Sequence, residues 1–69
     1  MTPKELLAIR NELRMYRPEF SRKVGISPRM NVYYEDGEAD IPLKVGNSAR
    51  WIRHCYRLAQ LKKKAEKNG

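Results

Sequence analysis

The side chains able to do chemistry here are cations and hydrogen-bond donors, with no set that could catalyse a reaction. Pro28, Arg29, Val32 and Tyr33 fall on one side of a short helical segment, facing away from the positions expected to be buried. A guanidinium at Arg29 can bond bidentately to a guanine edge or bind a phosphate. A valine methyl at Val32 can lie on a thymine methyl or simply be exposed. The Tyr33 hydroxyl can reach a base or phosphate, or its ring can lean on the helix. Arg17, Arg22, Ser27 and Lys44 read as contacts to the nucleic-acid backbone, with Arg17 helped by the helix N-terminus beside it. The single cysteine, Cys55, excludes an internal disulfide, and with one histidine, His54, it cannot build a zinc site. No metal, cofactor, small-molecule ligand or enzymatic activity is expected. Cys55 reads as a small buried hydrophobe and His54 as a surface residue.

The partner is indicated by charge. Over 69 residues the net charge is +7, which favours a polyanion. Cations are spread from Lys4 to Lys67, whereas Glu35, Asp36, Glu38 and Asp40 cluster between the two basic halves. No apolar run approaches the length of a membrane span, and the N-terminus lacks a basic-then-apolar leader, so a cytoplasmic protein is expected. The length suits one domain, 1–69, with a core small enough to leave a monomer marginal.

Several elements must hold these side chains. Thr2-Pro3-Lys4-Glu5 is a capping box opening a first helix, whose Leu6, Ile9 and Leu13 form one apolar stripe. A second helix should run from Arg17 or Pro18 to Val24, with Phe20 and Val24 inward. Gly25 can end it in the left-handed conformation. Ser27 then caps a third helix, with Pro28 in its first turn and Glu35 or Asp36 at its end. Ser27, Asn31 and Tyr34 lie inward. Helix, glycine turn, capped helix is the helix-turn-helix pattern, at about 17–36. Asp36 to Asp40 is a turn. A short helix at about 42–46 is expected, followed by a long one at about 48–64, since Gly46-Asn47-Ser48 are weak helix formers; one continuous helix is the alternative. In the long helix Ile52, Cys55 and Ala59 suit the inner side. Trp51, Tyr56, Leu58 and Leu61 are left over as a surface for a second copy, and Lys62-Lys63-Lys64 with Lys67 reads as a fraying basic tail.

Glu19-Phe20, Gly25, Ser27, Tyr34-Glu35, Gly37 and Ile41-Pro42, with the opening TPKELLAIRNELR, resemble the lambda-repressor-like (Cro- or Xre-type) helix-turn-helix family over residues 2 to about 45. The resemblance implies a compact all-α domain of four to five helices and base reading by the outward set of the third helix. It also implies a salt bridge between Arg10 and Glu35. Two positions depart from the family: Tyr16 where a small cap is common, and Asn31 where an apolar residue is usual. For Asn31 two outcomes are expected: a bond to a backbone carbonyl of the turn, or a rotation that gives Met30 part of the core position. The functional expectation is a dimeric repressor on palindromic double-stranded DNA, similar to phage autoregulators including anti-CRISPR-associated repressors. An antitoxin or interaction module of the same fold, and an RNA-binding basic helix, are the alternatives.

Overall fold

Helix boundaries follow local capping chemistry. A computed structural model describes the backbone of residues 1–68 and the side-chain surroundings of residues 1–63. The described chain is all-helical, with α1 at Pro3–Leu13, α2 at Arg17–Val24, α3 at Pro28–Asp36 and α4 at Leu43–Asn68. Thr2 Oγ1 accepts the Glu5 amide at 3.1 Å and so closes the first turn of α1. That helix ends on Arg14, whose φ of 56° is left-handed, an unusual conformation for a residue with a side chain. Tyr16 stands at the cap position of α2 without a side-chain bond, and the helix still begins at Arg17. Gly25, at φ 81°, ends α2 and donates its amide to the Ser21 carbonyl at 2.9 Å. Ser27 Oγ accepts the Met30 amide at 3.1 Å, and Pro28 follows in the first turn of α3.

The last helix differs from its expected division. Instead of a break after position 46, α4 is continuous, and it runs past 64 to Asn68. Gly46 is buried beneath the Met1 side chain, where an added Cβ would lie 3.3 Å from Met1 Cβ. Unbroken register brings Val45, Ala49, Ile52 and Tyr56 onto one face against the core. Burial along that face outweighs the cost of a mid-helix glycine, about 1 kcal/mol. The same register corrects three placements. Cys55 and Ala59 are exposed rather than inward, and Tyr56 packs against the core rather than facing outward for a second copy. The fraying expected at Lys64 and Lys67 concerns side chains outside the described ones.

The core gathers Leu6, Ile9 and Leu13 of α1, Phe20 and Val24 of α2, Tyr34 of α3, and Val45 and Ala49 of α4. α1 packs on α3 and α4, and α2 packs on the same two. Helices α1 and α4 run parallel: Arg50 meets Glu5 at 3.6 Å, and seven residues further along both, Arg57 meets Glu12 at 2.7 Å. The second pair is bidentate, and its hydrogen bonds hold the Glu12 carboxyl below the ordinary carboxylate range. Beyond Arg57, every described side chain of α4 is exposed, and the molecule measures 47 × 20 × 18 Å. No described helix is long and apolar enough to cross a membrane.

Candidate nucleic-acid interface

Helices α2 and α3, joined through Gly25, Ile26 and Ser27, present most of the residues read as nucleic-acid contacts. Arg17, Arg22, Ser27, Pro28 and Arg29 are exposed, while Val32 and Tyr33 are half-buried. Ser27 already uses its hydroxyl oxygen as the cap acceptor, leaving its proton to donate outward. Lys44 is exposed too, but it sits in the first turn of α4, beyond the acidic turn. Trp51, Leu58 and Leu61 are exposed on α4, away from this pair of helices in sequence, whereas Tyr56 is withdrawn to the core.

The side chain that orients α3 is Glu35, in its last turn. Arg10 of α1 grips it bidentately, Nε to Oε2 at 2.8 Å and Nη2 to Oε1 at 3.1 Å. Arg10 also donates from Nη1 to the Met15 carbonyl at 3.2 Å, so the same guanidinium fixes the α1–α2 connection. Asn31 donates from Nδ2 to Glu35 Oε2 at 2.7 Å, and Arg17 from Nε to Oε1 at 3.3 Å. The Glu35 side chain is 2% exposed, against 14% for Arg10 and 45% for Arg17. Three helices therefore meet on one carboxylate.

Two members of this cluster differ from their sequence reading. Asn31 bonds to Glu35 rather than to a turn carbonyl and is itself fully buried, while Met30 does take part of the core position beside it. Its four-residue spacing from Glu35 on one helix was the available signal. Arg17 is not simply a solvent-facing phosphate ligand, because its Nε is held by Glu35 while the rest of the guanidinium stays half-exposed. Asn31 Oδ1 and Ser21 Oγ are buried without a hydrogen-bond partner among the described residues.

The electrostatics of the cluster set a pH dependence. Burial pushes the Glu35 carboxyl up, but the hydrogen bonds and charge of Arg10, with the bonds from Asn31 and Arg17, outweigh it and hold the group below its ordinary value. A depressed folded-state value means the unfolded chain takes up the proton first as pH falls. Stability from Glu35 is then complete above the ordinary value of 4.5 and is lost as pH drops through the lower folded-state value. Urea midpoints for the protein should fall below that pH. Glu35→Gln should flatten the dependence, and an equally steep loss in that variant would remove Glu35 as its source.

No protein-family model, curated protein or solved structure matches this chain.

Proposed function

We propose that this protein is a sequence-specific regulator that binds double-stranded DNA, with α2 and α3 acting as a lambda-repressor-like helix-turn-helix. The observation that carries the reading is the opposed state of the two ends of α3. Its last turn is fixed by the buried Glu35 to α1 and α2, while its first turn leaves Pro28 and Arg29 open to solvent. A recognition helix needs that combination, because base contacts require a rigid element delivered to the groove by its N-terminal residues. Arg29 is the reader, with Val32 and Tyr33 offering their uncovered edges. Arg17, Arg22 and Ser27 hold the phosphates. The assembly is a homodimer on a palindromic operator, its half-sites about one helical turn apart. It acts in the cytoplasm as a repressor, by occupying a promoter, without catalysis, metal or cofactor. Regulation of its own operon, as in phage-type and anti-CRISPR-associated repressors, is an analogy drawn from the sequence resemblance.

Footprinting on DNA upstream of its gene, followed by anisotropy titrations with the protected duplex, tests this. Affinity should fall steeply with salt, as phosphate contacts release counterions. Arg29→Ala should cost about 1–3 kcal/mol and relax preference at one base pair per half-site. Equal weakening on every sequence would reduce Arg29 to a phosphate contact. Absence of duplex binding at low salt would favour the other reading, a helical interaction module or antitoxin of the same fold, to which the half-buried Val32 and Tyr33 lend some support.

A further inference from the structure

We infer that α4 pairs with α4 of a second copy in antiparallel orientation, each helix laying its exposed stripe against the other. This deepens the dimer part of the proposed function and rests on it. Leu43, Trp51, Leu58 and Leu61 are 75%, 65%, 51% and 62% exposed, large fractions for side chains of this kind. Lys44, Asn47, Trp51, His54, Leu58 and Leu61 recur at alternating steps of three and four residues, the spacing of a two-helix seam. The stripe lies opposite the face formed by Val45, Ala49, Ile52 and Tyr56, so the protein's own core leaves it open. Trp51 and His54 already lie side by side, their ring centroids 5.7 Å apart and their planes tilted by 36°.

Charge selects the orientation. Between Leu43 and Lys63 the helix carries Lys44, Arg50, Arg53, Arg57, Lys62 and Lys63 and no acid. Asp36, Glu38 and Asp40, just before it, are exposed and form no ion pair among the described residues. Parallel pairing would set basic end on basic end and acidic turn beside acidic turn. The antiparallel arrangement brings each acidic turn to the Lys62 and Lys63 end of the other helix, twice by symmetry. Arg50 and Arg57, which flank the stripe, are already matched by Glu5 and Glu12 of their own α1. In this register Trp51 layers on the partner's His54, Leu58 on the partner's Asn47 and Leu61 on the partner's Lys44.

Cysteine cross-linking in a Cys55→Ser background reads the orientation. Leu61→Cys protein alone should stay uncross-linked under mild oxidation, whereas its equimolar mixture with Lys44→Cys protein should form a disulfide-linked pair. Self-cross-linking of Leu61→Cys would establish parallel helices and overturn the proposal. So would a failure of the mixture to cross-link while light scattering on the unaltered protein reports a dimer. A monomer by light scattering would instead remove the dimer reading itself. Lys62→Glu with Lys63→Glu should weaken dimerisation several-fold, and unchanged association would remove the charge argument.

Discussion

Replacing Glu35 with alanine is expected to destabilise the protein by about 3–5 kcal/mol, the range for removing one partner of a buried ion pair. The size follows from what is left behind. Arg10, with only 14% of its side chain exposed, loses both bonds of its bidentate grip, and the Asn31 amide loses its acceptor inside the core. A chain of 69 residues has a total stability of roughly 3–10 kcal/mol, so much of the population would unfold. Urea denaturation followed by helical circular dichroism measures the loss. Arg17→Ala is the control: its side chain is 45% exposed, and its removal should cost less than about 1 kcal/mol. Similar losses in the two variants would show that the carboxylate is not the junction of the three helices. Converting Arg10 and Glu35 together to well-packed apolar residues should recover much of the stability, since a buried pair offsets its own desolvation only in part. That double variant should nevertheless hold Arg17 less firmly at the start of α2.

Phe20→Ala is expected to cost a further distinct 3–5 kcal/mol or about that, through loss of burial and the cavity left behind. Phe20 is fully buried and is the largest such side chain among the described residues. Its helix, RPEFSRKV, has no other large apolar residue to hold it, only Val24 and the small Ser21 reaching the interior. Loss of the ring should therefore loosen α2 first. α3 would loosen with it, because the two helices pack on each other. Hydrogen exchange would locate the effect. Amides of α2 and α3 should lose protection ahead of those in α1, and uniform loss across all four helices would make Phe20 an ordinary core residue. Phe20→Leu, which fills much of the same space, should cost less than about 1.5 kcal/mol.

Legibility in the sequence tracked the distance over which each cause acts. Thr2 with Glu5, Ser27 with Met30, and the left-handed Gly25 involve neighbours within a turn, and their residue types are specific to those jobs. The weak propensity of Gly46-Asn47-Ser48 leaves a divided and a continuous last helix open, and burial of Val45, Ala49, Ile52 and Tyr56 against residues remote in sequence decides for the continuous one. Once the helix is continuous, register rather than residue type decides burial. Cys55 therefore stands in solvent while Tyr56, one position on, goes in. The Arg10–Glu35 pair came from family resemblance, and its geometry adds donors that the resemblance did not include. Asn31 stands fully buried in the core because an amide there can reach the carboxylate one turn later. Arg17 reaches the other oxygen of that carboxylate from a different helix, a convergence that no linear spacing encodes.

The parallel course of α1 and α4 has a topological consequence. Two neighbouring helices pointing the same way need a return segment that travels back along their length. Here α2, α3 and the two turns around them supply it, so the pair of helices proposed to bind DNA is also the crossover. Residues cannot be deleted from that stretch without shortening the bridge that lets the outer helices align, and a truncated Ile26–Ser27 link would misplace α3 as well as the frame. The turn after α3 is fixed as well, since the Glu38 and Ala39 amides donate to the Tyr33 carbonyl and Ala39 packs against the core. Variants built to test the proposed DNA reading should thus exchange side chains on α3 and keep its length.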